Sequence, residues 1–178
     1  MREPARPMKV IKANDPYVIF QGAISRLQGQ FPTALSNAPD FTLLDSNLQN
    51  KQLADYARQT LVLITSPSID TPIAANILRL LEQRTALWQK TKVISVSEDL
   101  PFALSRFAKW EGLNRVSCLS SYRSQFGADY GLTIAEGLLG GLLAPSLLII
   151  VDKQIVYAER MLNLTDEPNF EALDKICR

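Results

Sequence analysis

The sequence predicts an α/β fold, a central mixed sheet flanked by helices with a β-hairpin on its N-terminal side. Three observations carry this. Residues 61–65 and 93–96 are almost wholly apolar, the pattern of short strands buried on both faces of a parallel sheet. Two stretches, from Asp70 to about Lys90 and from Leu100 to Trp110, repeat apolar residues at helical spacing and so supply the crossover connections such strands need. Two later apolar runs, residues 146–151 and 155–158, are separated only by Asp152, Lys153 and Gln154 and read as an antiparallel hairpin. Strands alternating with helices give a parallel core, and the late hairpin makes the sheet mixed.

In chain order, residues 1–17 carry Pro4, Pro7 and Pro16 and read as an irregular extension, ahead of one domain over residues 18–178. Val18, Ile19 and Phe20, then Gln21-Gly22, then residues 24–27 predict a tight hairpin with glycine at the turn. Residues 41–44 predict a strand, and residues 53–57 a short helical piece. After the strand at 61–65, Pro67 breaks the pattern. Asp70 and Thr71 then offer caps for a helix with Pro72 in its first turn. Its apolar positions Ile73, Ile77, Leu80, Leu81, Leu87 and Trp88 carry it to about Lys90. Asp99 is the expected cap of the next helix, with Pro101 in the first turn and Gly112 as its stop. Residues 116–119 predict a strand, 136–145 a glycine- and leucine-rich loop, and 167–176 a terminal helix. Both tryptophans, Trp88 and Trp110, fall on predicted helices, where core or interface packing is expected.

Composition narrows the chemistry. The 178 residues hold 19 Lys and Arg against 18 Asp and Glu, a net charge of +1, so no broad field favours nucleic acid or an anionic membrane. No apolar run approaches the roughly 18 residues of a membrane span, and no apolar segment follows the N-terminal arginines as in a secretory signal. The expected location is therefore cytoplasmic. There is no histidine, which removes Ser-His-Asp and Cys-His catalysis and the commonest zinc ligand. The two cysteines, Cys118 and Cys177, are too few for a thiolate metal site or a disulfide framework. No grouped carboxylates and no glycine-rich phosphate loop are present, and no metal or cofactor is expected.

Several segments resemble the bacterial thiol peroxidases, the atypical two-cysteine branch of the peroxiredoxins with a thioredoxin-like fold. Phe20-Gln21-Gly22 resembles that branch's N-terminal hairpin, and Ala38-Pro39-Asp40-Phe41-Thr42-Leu43 its entry strand. Pro67-Ser68-Ile69-Asp70-Thr71 matches its active-site loop. Asp99-Leu100-Pro101-Phe102-Ala103, Ser105-Arg106-Phe107 and Glu111-Gly112-Leu113-Asn114 match its second signature helix. Residues 120–123, Tyr130-Gly131 and Thr165-Asp166-Glu167-Pro168 match further on, so the similarity runs over about residues 18–176.

The resemblance implies a site in which the loop delivers a cysteine to the first turn of a helix. Free N–H groups and the positive end of the helix dipole there favour thiolate over thiol. Thr71 corresponds to the residue that touches thiolate and peroxide, and Pro67 to the one that shields the sulfur. The nucleophile's position, three residues after Thr71, holds Ala74. The resolving cysteine's position, after Ser105-Arg106-Phe107, holds Ala108, and the position of a charge-stabilising arginine holds Ser146. A methyl group cannot attack peroxide or form a sulfenic acid or a disulfide.

The remaining candidates have plain structural readings. Thr71 and Asp70 serve as polar partners at a helix start, and Arg123 as one end of a salt bridge ordering its loop; Thr71 and Arg123 are also the candidate ligand contacts. Cys118 lies in a strand-like run, where cysteine behaves as a small hydrophobe. Cys177, one residue from the end of the sequence, is expected to be exposed. The apolar loop 138–143 either lies beneath the hairpin or faces a partner chain, since the resemblance implies a homodimer. The functional expectation is a non-catalytic dimeric scaffold that binds a protein or a small apolar ligand. The alternatives are a hydroperoxide reductase using Cys118 or Cys177, and a regulatory partner of an active thiol peroxidase.

Overall fold

The computed structural model describes residues 15–178. Expectations for residues 1–14 lie outside the described residues, and Tyr17 already belongs to the first strand. β1 (Tyr17–Phe20) and β2 (Ala23–Gln28) form the N-terminal hairpin. Its turn places Gln21 and Gly22 at φ of 49° and 81°, the left-handed pair a two-residue turn requires. β3 (Thr42–Leu44) and β4 (Asn50–Gln52) form a second, shorter hairpin, and a 3₁₀ turn (Leu53–Tyr56) follows. β4 had no sequence signal, because Asn50, Lys51 and Gln52 form a polar outer edge.

β5 (Thr60–Thr65), β6 (Thr91–Ser97) and β7 (Val116–Ser120) pair in parallel, in the order in which the crossover helices deliver them. β9 (Ser146–Val151) pairs antiparallel with β5, and β10 (Gln154–Arg160) with β9. The main sheet has the order β10-β9-β5-β6-β7-β3-β4. A separate three-stranded sheet joins β1 and β2 to β8 (Thr133–Ile134). β10 is longer than the predicted 155–158, because Glu159 and Arg160 go on pairing with Leu147 and Ser146 of β9, and a bulge lies between Ile155 and Tyr157.

Alternating side chains on the central strands supply two cores. Leu61, Leu63, Ile94 and Leu148 face one side, where the N-terminal hairpin, Phe41 and Tyr130 cover them. Val62, Ile64, Val93 and Ile149 face the other, under three helices. These are α1 (Pro72–Thr85), α2 (Pro101–Glu111) and α4 (Phe170–Cys177). α3 (Phe126–Asp129) is a single turn, too short to show helical periodicity.

α1 ends five residues short of the predicted Lys90. Thr85 turns its hydroxyl back to the Leu81 carbonyl 2.6 Å away, and Trp88 donates its backbone N–H to Thr85 in a tighter turn. Lys90, at φ of 52°, then reverses the chain into β6. Trp88 is thus buried just beyond the helix, its indole N–H reaching Asp174 on α4. α4 starts at Phe170 rather than Glu167, because Asn169 caps it by accepting the Ala172 N–H at 3.0 Å. Gly112, at φ of 68°, ends α2 as predicted.

Candidate functional site

Thr71 caps α1. Its Oγ1 accepts the Ala74 N–H at 3.3 Å and donates to the Ser68 carbonyl at 3.2 Å, so the hydroxyl proton is already used. Ala74, only 4% exposed, is the third residue of α1 and lies in its first turn. Pro67, Thr71 and Ala74 line one crevice together with Thr65, Ser66, Ser95, Pro145 and Asp166. The sequence reading thus brought together the first three and missed the others, which come from strand ends and a distant loop.

The crevice is narrow. Its free volume is about 20 Å³, room for roughly one water. Ser66 Oγ is buried beside it without a hydrogen-bond partner among the described residues. Ser146 opens β9 directly opposite Thr65 on β5 and is fully buried. Their hydroxyls lie 2.8 Å apart, and Thr65 Oγ1 is also 2.7 Å from the Ala144 carbonyl. Among the described residues, no cationic side chain lines the crevice.

Asp99 is the main correction to the sequence reading. Leu100, not Asp99, stands at the N-cap of α2, and no side chain caps that helix. The Asp99 carboxylate instead turns toward the loop ahead of α1. It accepts Ser68 Oγ–H at 2.9 Å, Ile69 N–H at 2.8 Å and Ser97 Oγ–H at 2.8 Å. It thereby ties the end of β6 to the loop that positions Thr71. A carboxylate just after a buried strand gave the signal, but the same residue type also caps helices.

The other candidates lie elsewhere. Ala108 is half-buried on α2 and does not line the crevice. Arg123 is exposed and forms no salt bridge among the described residues, so the expected loop-ordering pair is not made. The charge projects over solvent instead. Cys118 is buried on β7, as its strand context predicted. Cys177 is also buried, 4% exposed, because the last turn of α4 packs onto the sheet; the expectation that it is exposed fails. Burial, reinforced by Asp99 and Glu82, pushes the Cys118 thiol up to about 12. Burial and Asp174 push Cys177 up to about 11. Both thiols stay protonated near neutrality, and neither lines the crevice.

Loop 136–145 is divided. Leu143 is fully buried, whereas Leu138 is 94% exposed. Backbone bonds from Ala135 to Arg26 and from Gly141 to Ile134 stitch the loop to the hairpin side.

Comparison with known proteins decides the family. The redoxin family model matches residues 33–173. The thiol peroxidase of Mycobacterium tuberculosis is 37% identical over 156 residues, covering 87% of this chain and 94% of that protein. The chain belongs to the thiol peroxidase family. The Corynebacterium glutamicum thiol peroxidase is 33% identical over 154 residues, 86% of this chain and 93% of the relative. Among solved structures, the Chromobacterium violaceum thiol peroxidase superposes with a TM-score of 0.85 at 26% identity, covering 91% of this chain and 95% of that one. A peroxiredoxin-like protein from Aquifex aeolicus gives 0.86 at 29% identity over the same shares. The thioredoxin-like peroxiredoxin fold of this thiol peroxidase relative is thereby established. No helix among its described residues is long and apolar enough to cross a membrane.

Proposed function

We propose that this member of the thiol peroxidase family is a binding scaffold without peroxidase chemistry. One observation carries the reading: the first turn of α1, under the Thr71 cap, presents the methyl of Ala74, and no thiol among the described residues lines the crevice around it. Two further features support it. Ser146, fully buried and bonded to Thr65, brings no positive charge to stabilise a thiolate. Cys118 and Cys177 are buried thiols held protonated at neutral pH, the opposite of a peroxide-reactive cysteine. The family's homodimer is the assembly expected of it, and light scattering on the purified chain reads that directly.

The test is hydrogen peroxide or alkyl hydroperoxide consumption with thioredoxin or dithiothreitol as reductant. The scaffold reading expects the rate of a buffer blank and an unchanged intact mass. Turnover well above the blank, abolished by Cys118→Ser or Cys177→Ser, would restore a peroxidase.

A further inference from the structure

We propose that the end of the molecule where β5 and β6 begin docks on an anionic lipid surface, with Leu87 entering the bilayer. The balance of 19 basic against 18 acidic residues is not kept locally. Arg58 lies just before β5, and Lys90 and Lys92 flank Thr91 at the start of β6. The Thr60 N–H donates to the Lys90 carbonyl at 2.9 Å, and Lys92 stands opposite Leu61 in the register, so the three cations gather at one end of the sheet. Cys177 hydrogen-bonds with Thr91, which brings the last turn of α4, with Lys175 and Ile176, to the same end. The Trp88 indole reaches Asp174 on α4 and so holds Leu87 beside that turn. Leu87 is 70% and Ile176 37% exposed.

Backbone strain and free charge select the occupant. Arg58 and Lys90 hold φ of 68° and 52°, in the left-handed region where glycine or asparagine is the usual choice. Strain of this kind gathers at functional positions, and here it puts a long cation at each turn into the sheet. Arg58, Lys90, Lys92 and Lys175 are exposed and form no ion pair among the described residues. The acids nearby are engaged. Glu82 accepts the Asn114, Arg115 and Val116 N–H groups, Asp174 pairs with Arg84, Asp55 accepts the Gln52 N–H, and the exposed Asp152 adjoins Lys153. Four free cations around two exposed apolar side chains suit a negatively charged leaflet, which attracts the charge and takes up the apolar groups at shallow depth. A second copy would set this charge against itself. A nucleic acid would find no exposed aromatic among these residues on which to stack a base.

The test involves no peroxide and so stands apart from the scaffold reading. Co-sedimentation of the full chain with vesicles of equal parts phosphatidylglycerol and phosphatidylcholine is measured against vesicles of phosphatidylcholine alone. Expected are preferential binding to the anionic vesicles and weakening as salt rises from about 0.01 to 0.1 M, as the Debye length contracts from about 30 to 10 Å. Lys92→Gln combined with Lys175→Gln is expected to weaken binding about thirtyfold, at the usual contribution of each surface cation. Leu87→Ser is expected to weaken it about tenfold through lost apolar burial. All three side chains are exposed, so the thermal melt is expected to stay unchanged. Equal binding to both kinds of vesicle, or no effect of either variant, overturns the proposal. So does release from the anionic vesicles by a polyglutamate peptide or a single-stranded oligonucleotide that the chain binds more tightly, since the basic end would then be a protein or nucleic-acid site.

Discussion

Thr65 and Ser146, on adjacent antiparallel strands, share a buried hydroxyl contact of 2.8 Å, and Thr65 lines the crevice that Ala74 also lines. Where the family resemblance calls for a long cationic side chain, the chain has two short hydroxyls that satisfy each other and the Ala144 carbonyl. Removing one leaves a buried polar group unpaired. Ser146→Ala is expected to cost about 1–3 kcal/mol, read as a shifted urea midpoint with unchanged slope.

Ala74→Cys tests whether the scaffold still supports thiol chemistry. The new sulfur enters the first turn of α1, where free N–H groups and the helix dipole favour thiolate. Intact mass after peroxide treatment is expected to rise by one oxygen in the variant and not in the parent. Adding Ser146→Arg is expected to speed that reaction, provided the fold survives burying the guanidinium. An unchanged mass in both variants would show the introduced thiol to be inert, and would mean that the loop geometry has also been lost.

Asp99→Ala removes the acceptor of three hydrogen bonds between β6 and the loop before α1. A loss of about 2 kcal/mol is expected, within the range for hydrogen bonds to charged groups. Hydrogen exchange is expected to rise first at residues 66–71. Uniform loosening of the whole chain would show instead that Asp99 only supports global stability.

Glu82 is desolvated by partial burial, which raises its pKa, but the N–H groups of Val116, Arg115 and Asn114 and the charge of Arg115 outweigh that and lower it. A depressed carboxylate contributes stability above its unfolded pKa and loses it as pH falls through the folded value. Glu82→Gln is therefore expected to flatten the acid limb of a thermal-melt series, and to lower stability at pH 7 by about 1–2 kcal/mol.

The thiols predict alkaline behaviour. Burial pushes Cys118 up to about 12 and Cys177 to about 11, and Tyr56 to about 12. A pKa raised on folding gives stability that is present below the unfolded value and lost as pH climbs toward the folded one. The melting temperature is expected to fall between about pH 9 and 11. At pH 8, Cys118 and Cys177 are expected to resist a thiol reagent until denaturant is added.

The sequence by itself determined the elements whose signals are local. The apolar runs of β5 and β6, the Pro72 and Gly112 punctuation of α1 and α2, and the Gln21-Gly22 turn all depend on near neighbours in the chain, so they could be read directly. So could Ala74, because a residue's identity at a helix start needs no structure. Only the tertiary structure decided the rest, because its causes are distant in sequence. Asp99 turned from helix cap to loop anchor because Ser68 and Ile69 come to it across the sheet. Cys177 went inside because α4 packs into the helix-side core with Leu81, Trp88 and the strands. Trp110 came out because nothing among the described residues packs on the far side of α2. Burial and pairing are properties of what the fold brings together, and a residue read alone carries no record of its neighbours.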